Sequence, residues 1–335
     1  AVLLGGLMQL LLPSYDLYRQ RAFQGRPFEQ IGARTEVLEE DLSTDDREAA
    51  YKSFWSLFVP SLLGAALMQI NILVSRLLAH SLDDTSVSFL YVSSRLMELP
   101  LGIFTIAIIT VFFPEMSRAF AEHSRSVFSQ IAQRGMHCIM LIVLPATLGL
   151  CLLSKEILMV LFQWGQFNSG DVHATAPIVI IYALSLPFHS IATFCVRCFY
   201  SAKAMHLPVR IALVLLLLNT VLSLIFMTMW GVYGLATANL ITAIIHAVML
   251  LSATHKTFSI ELMRGLKPIL KPILCGLIAI GIICVSGKFA LAHFNLSEKL
   301  SAIGAVSLLI PLSASSYFFI LHRLGISNQR LWGLF

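Results

Sequence analysis

The stretch LPVRIALVLLLLNTVLSLIFMTMW, Leu207 to Trp230, decides the fold together with VYGLATANLITAIIHAVMLLS, Val232 to Ser252. The first run contains a single charged residue, Arg210, and the second none. A helix of about 20 apolar residues is long enough to cross the hydrocarbon of a bilayer. Inside hydrocarbon the backbone must satisfy its own polar groups, which a helix does within one segment. Only Gly231 separates the two runs, so they predict a tight hairpin of membrane-spanning helices.

Working outward, runs of the same kind recur along the chain. Before the hairpin lie Ala1 to Tyr18, Phe54 to Leu78, Val87 to Phe113, Gly135 to Leu153 and Ala174 to Val196. After it lie Ile269 to Leu291 and Ala302 to His322. The count is nine, and the expected fold is an all-α, polytopic transmembrane bundle of about nine spans. Composition agrees, with 57% hydrophobic and 12% charged residues. A soluble domain carries about 25% charged residues. The net charge of +5 does not point to nucleic acid, because the basic residues do not gather on one soluble domain. Pro60, Pro100, Pro145, Pro187 and Pro311 fall inside spans. In water each would cost about 3 kcal/mol in a helix interior, but neighbouring helices can satisfy the freed carbonyls in a membrane bundle. The first run opens at Ala1 with no charged n-region, so no signal peptide is recognisable, and the start reads as a cut through a larger protein.

Orientation follows from the connections. Of the 23 Lys and Arg residues, 18 lie in the alternating set that begins after the first run and ends with the C-terminal tail. The opposite set holds three, Lys155, Lys288 and Lys299, and Arg76 and Arg95 lie within spans. Cytoplasmic connections carry the excess of Lys and Arg, so the C-terminus is expected in the cytoplasm. The longest polar connection, 19–52, carries Glu36, Glu39, Glu40, Asp41, Asp45, Asp46 and Glu48 and reads as a solvated cytoplasmic linker. Pro114 to Arg134 is expected to form an amphipathic surface helix, with Phe120, Val127, Phe128 and Ile131 on its apolar face. Ser154 to Asp171 reads as a short interfacial helix and turn, with Trp164 at headgroup level.

Chemistry-bearing residues are few. Cys195 and Cys198 form a lone C-x-x-C with no further zinc ligands nearby, and read as small packing residues. The sequence holds no nucleophile elbow, P-loop or H-E-x-x-H, and nothing in it calls for a cofactor or metal. Asp83-Asp84 reads as loop polarity. His189 and His246 read as hydrogen-bonded packing residues, and Arg76, near the outer end of its span, as a snorkelling side chain. Arg95 and Glu98 lie deeper, where a charge costs about 2.5–3.5 kcal/mol on insertion scales. Three residues apart, they share one helix face. Two readings stand side by side. One is a structural ion pair. In the other, Arg95 binds an anion in a cavity and Glu98 orients it, since the planar guanidinium fork suits phosphate oxygens. Gln69 and Asn71, on the preceding span, are candidates to line the same cavity, and Asn219, Asn239 and Thr242 are further polar residues within spans.

SSRLMELPLGIF, Ser93 to Phe104, resembles the signature of the MurJ (MviN) family of lipid II flippases, in the multidrug/oligosaccharidyl-lipid/polysaccharide exporter superfamily. QINILVS (Gln69 to Ser75), LFQWGQFNSGDVHATAPIVIIYALSLP (Leu161 to Pro187) and FYSAKAMHLPVRI (Phe199 to Ile211) resemble the family in the same order. The resemblance implies fourteen helices, two six-helix lobes and a final pair, of which this chain would carry the last nine. It divides the chain into 1–18, the last helix of the first lobe; 19–52, the linker; 53–255, the second lobe; and 256–335, a terminal pair forming a groove for a lipid tail. It implies a transporter rather than an enzyme, in the bacterial inner membrane, that carries lipid II (undecaprenyl-pyrophosphate-linked muropeptide) outward by alternating access for peptidoglycan synthesis. Membrane lipids and other cell-wall synthesis proteins would be its partners. Arg95 matches the family's cavity arginine, with Glu98, Ser94, Asn71 and Gln69 around it. Ser94 and Ser75 stand where the family has or can have acidic residues, so carboxylate-dependent ion coupling at those two places is not expected. Alternative readings are an exporter of another polyprenyl-linked glycan or small molecule, and a non-transporting scaffold or gene remnant.

Overall fold

The computed structural model describes residues 44–293 and 297–324. The expected span Ala1 to Tyr18 and most of the linker lie outside them. The chain divides into two compact units, 1–58 and 59–335. Of the first, only the opening turns of α1 (Thr44–His80) are described, with Tyr51, Trp55 and Phe58 in edge-to-face contact. The helix starts at Thr44.

The second unit continues with α2 (Asp84–Pro100), α3 (Ala107–Ala121), α4 (Arg125–Leu152) and the short α5 (Ser154–Phe162). Then follow α6 (Ser169–Ser201), α7 (His206–Trp230), α8 (Val232–Phe258), α9 (Lys267–His293), α10 (Glu298–Gly304) and α11 (Ile310–Arg323). Eight helical stretches among the described residues are long and apolar enough to span a membrane. They match, in order, the second to ninth runs of the sequence. Two spans are composite. A π-helical turn, Leu101–Ile106, joins α2 to α3, and another, Ala305–Leu309, joins α10 to α11. Each adjoins a proline, Pro100 or Pro311. Proline has no N–H to give, and widening the turn lets the register slip past the lost bond.

The longest buried surface belongs to α6, which packs against α2, α3, α4, α5 and α8. Its N-terminus is fixed by a capping box: Asn168 accepts from Gly170 and Asp171 N–H, and Asp171 accepts from Asn168 N–H. Cys195 and Cys198 are unpaired thiols, fully buried on this helix, and serve as small packing residues. The α7–α8 hairpin turns at Gly231, whose positive φ of 56° suits a residue without Cβ. Gly234 then lets the backbone of Phe226 approach closely.

The expected surface helix at Pro114 to Arg134 does not form. α3 runs to Ala121, a three-residue turn follows, and α4 begins at Arg125. Phe128 is 2% exposed. It packs on Phe120 and Phe258, at centroid distances of 5.8 and 5.6 Å, and Phe258 in turn meets Phe199 at 5.1 Å. Of the expected apolar face, Phe128 turns into the bundle, while Phe120 and Val127 stay exposed at 41% and 46%. Ser154 to Phe162 is the short helix expected, and Trp164 beyond it is 67% exposed.

The terminal pair docks on α4 and α5. Tyr317, 1% exposed, donates to the Leu141 carbonyl at 2.7 Å, and its ring fills the space left by Gly276. Gly287 similarly admits Leu309, and Cys284 lies 3.5 Å from Ser313. At the other end Lys288 donates to Glu156 at 2.6 Å and to the Leu152 carbonyl at 3.0 Å, while Lys299 sits 4.0 Å from the Trp164 ring centroid. Two of the three Lys residues in the sparse set therefore tie the pair to the lobe.

Tyr317→Phe should cost about 1 kcal/mol, the net value of a buried hydrogen bond. Gly276→Leu should cost about 1–3 kcal/mol or more by overpacking against Tyr317. Thermal unfolding in detergent measures both, and an unchanged midpoint for Gly276→Leu would contradict this packing.

Candidate functional site

α2 shows how a charge is carried on an apolar span. Leu90, Val92, Ser93, Leu96 and Met97 are buried. Tyr91 and Leu99 are exposed, at 44% and 52%. Tyr91, Arg95 and Leu99 recur every four residues, so they form one stripe, and it faces away from the surface packed on α6. Ser185 on α6 donates to Met97 Sδ at 3.3 Å on the buried side.

Arg95 Nη1 donates to Glu98 Oε2 at 2.6 Å, with half of the Arg95 side chain exposed. Its guanidinium carbon lies 5.0 Å from the Tyr91 ring centroid. Arg76, on α1, lies 5.6 Å from the same centroid. Arg76 is exposed, and this distance is within cation–π range of the ring.

The loop between these helices fixes the arrangement. Asp83 caps α2, accepting from Ser86 N–H at 2.5 Å, Thr85 Oγ1 at 2.6 Å and Ser86 Oγ at 3.0 Å. The Thr85 hydroxyl, then the Ser86 N–H, holds the Asp83 carboxyl below its ordinary value. A lowered carboxylate value means the cap is complete above the ordinary range and is lost as pH falls through the lowered one.

The remaining candidates separate. Ser94 Oγ donates to its own helix at the Tyr91 carbonyl, 2.9 Å away. Gln69 is exposed, and among the described residues no hydrogen bond joins it to Arg95. Asn71 turns to α7, where its Oδ1 accepts from Asn219 Nδ2 at 2.7 Å, and Thr242 Oγ1 donates to Asn219 Oδ1 at 3.2 Å. Ile211, Leu215, Asn219 and Ser223 make the buried stripe of α7, so the amides form a bond across three helices inside the bundle. His189 Nε2 and Asn239 Nδ2 are buried without a hydrogen-bond partner among the described residues, unlike the bonded histidine expected. Among the described residues no group of His, Cys, Asp and Glu could hold a metal ion.

Removing Asn219 strands two partners. Asn219→Leu should cost about 0.6–2 kcal/mol, the range for polar contacts between membrane helices. In that background Asn71→Leu should add little, because the coupling is already gone. Additive unfolding shifts for the two variants would contradict the bond.

A family model described as lipid II flippase MurJ matches residues 1–302. The chain is 31% identical over 325 residues to the probable lipid II flippase MurJ of Bdellovibrio bacteriovorus, covering 97% of this chain and 58% of that protein. It is 34% identical over 200 residues to the protein of that description in Vibrio cholerae, covering 60% of this chain and 38% of that one. For the Helicobacter pylori protein the identity is 30% over 302 residues, covering 87% and 62%. The chain thus spans less than two thirds of the length of these relatives. Among solved structures, a lipid II flippase MurJ in an inward closed conformation matches with a TM-score of 0.64 at 24% identity, over 84% of this chain and 55% of that one. An outward-facing multidrug resistance MATE family transporter of the MOP superfamily matches with a TM-score of 0.52 at 12% identity, over 84% and 67%. At those identities the likeness is one of fold.

Proposed function

Because this chain belongs to the lipid II flippase MurJ family, we propose that it works in flipping a lipid-linked peptidoglycan precursor from the cytoplasmic to the periplasmic leaflet of the bacterial inner membrane. The observation that carries this reading is Arg95. A guanidinium stands half exposed on an otherwise apolar span, oriented by Glu98 at 2.6 Å and turned away from the core of its own lobe. A charge so placed requires water or an anion in front of it. The pyrophosphate of lipid II supplies the anion, and the forked donors of arginine suit its oxygens.

The division of labour follows the spans. The six from α1 to α8 act as one lobe, with the Arg95 stripe as a wall of the transport cavity. α9 carries Leu270, Leu274, Ile278, Ile282, Val285 and Phe289, all exposed and three or four residues apart. That continuous apolar strip, in the terminal pair, accompanies the polyprenyl tail while the head group crosses. No covalent chemistry is needed. The cavity opens to one leaflet and then the other, and the anion site has to release the head group after binding it. The lysine and arginine asymmetry puts the C-terminus in the cytoplasm.

Two tests follow. In cells depleted of their own flippase, the protein expressed from its complete gene should restore growth, and its Arg95→Ala variant should not, with at least about a tenfold loss in viable count if one charge-assisted contact is lost. Normal growth of the variant would remove Arg95 from the mechanism. A reporter fused after Arg323 should be active if it is a cytoplasmic fluorophore and silent if it is a periplasmic phosphatase, and the reverse pattern would invert the topology.

A further inference from the structure

We propose that the cavity where α3, α6 and α8 end is a binding site for an anionic phospholipid, with Arg125 and Lys203 for its phosphate and a phenylalanine cluster for its upper chain. The cavity has a volume of about 390 Å³, within the range that holds a small ligand. Phe120, Phe128, Phe258 and Ile260 give it apolar walls, and His123 and Arg125 add polar groups to the lining. The three rings pack on one another, with Phe120 5.8 Å from Phe128 and 6.4 Å from Phe258, centroid to centroid. Lys203 stands in sequence between two further lining residues, Ala202 and Ala204. Depth also places the site. Candidate spans end at Ala121, Ser201 and Phe258, and another begins at Arg125. The cavity therefore lies where hydrocarbon gives way to lipid head groups.

Charge selects the occupant. The helix ends and turns at 118–125, 202–204 and 256–261 carry Arg118, Arg125, Lys203 and Lys256 against Glu122 and Glu261. All six are exposed, and among the described residues no ion pair joins a carboxylate to any of the four cations. A free inorganic anion leaves the phenylalanine walls unused, and a purely apolar molecule leaves the cations unused. An amphiphile with a phosphate head uses both. Basic pockets between membrane helices at the cytoplasmic face suit anionic head groups, and this end carries the lysine and arginine excess. The backbone marks the same place. Among the described residues the non-glycine residues with positive φ are His123, Lys203 and Ser259, one after the end of each of the three helices. Ser124 N–H returns to the Ala119 carbonyl and Ala204 N–H to the Phe199 carbonyl, a helix-ending turn in which glycine is usual. Two basic side chains thus occupy positions that glycine fills more easily, and a lipid phosphate gives them a use. Ile260 opens the connection from α8 to α9, so a bound lipid also meets the chain leading to the terminal pair.

The test uses the protein expressed from its complete gene, in nanodiscs of phosphatidylcholine with a minor share of phosphatidylglycerol bearing the same chains. Native mass spectrometry after transfer to detergent counts the lipids that stay bound. Corrected for abundance, phosphatidylglycerol should be retained over phosphatidylcholine by about tenfold or more, the value of one charge-assisted contact. Arg125→Ala should bring that ratio to within about twofold of unity. Lys203→Gly removes a charge and places glycine at a positive φ of 55°, so its unfolding midpoint in lipid-free detergent should not fall. Its retention ratio should nonetheless drop by about threefold, which separates lost binding from lost folding. Arg210→Ala, which removes an exposed charge from α7, should keep the ratio. A ratio near one in the unaltered protein, or one that Arg125→Ala and Lys203→Gly both leave unchanged, would overturn the site. An equal loss in Arg210→Ala would make the preference a property of diffuse surface charge and overturn it as well. Displacement of phosphatidylglycerol by millimolar inorganic phosphate would assign the cavity to a soluble anion and overturn the lipid.

Discussion

An amide hydrogen or carbonyl left unpaired in hydrocarbon costs several kcal/mol, and that constraint governs this chain at every level. It makes every candidate span among the described residues a helix. It explains why the two π-helical turns adjoin Pro100 and Pro311, where a hydrogen bond is missing and the backbone must find another register. It also disciplines the side chains. Asn71, Asn219 and Thr242 satisfy one another across three helices, and Tyr317 reaches a carbonyl of α4. Other buried hydroxyls, such as those of Thr175, Ser201 and Thr254, bond back to carbonyls of their own helices.

Arg95 and Arg76 are charged side chains on otherwise apolar spans, and the proposed function rests on the first of them. Both approach the Tyr91 ring, and Glu98 pairs with Arg95. α6 supports α2 from the buried side, where Ser185 meets Met97, and Asp83 caps the start of α2. A flippase site has to be strong enough to draw a charged head group into the membrane and weak enough to let it go. A guanidinium already partnered by Glu98 and by a ring meets both demands, because the incoming anion improves its environment without being its sole support.

The spans themselves were legible, because apolar length and the lysine and arginine count are properties of composition along the chain. The hairpin at Gly231 and the short helix at Ser154 were legible for the same reason. What escaped was anything set by a distant partner. Phe128 has the spacing of a lipid-facing stripe, and only Phe258, far along the chain and packed in turn on Phe199, turns it inward. Asn71 looked like a neighbour of Arg95 because both are polar and close in sequence, but Asn219 claims it. Arg76 sits where snorkelling is the default, and its contact with Tyr91, on the next helix, was not legible. Lys288 reads as loop charge until Glu156 is seen opposite. The Arg95–Glu98 pair was visible in the sequence as an i, i+3 pair, whereas its orientation away from the lobe was not.

The account turns on whether a lipid pyrophosphate meets the Arg95 stripe. Site-specific photocrosslinking measures that contact. A photoreactive amino acid at Leu99, one turn from Arg95 and 52% exposed, should form an adduct with radiolabelled lipid II in membranes. The same probe at Leu217, which is 63% exposed on α7, should not. Adducts at both sites to equal extent, or none at Leu99 in a protein that supports growth, would contradict the account.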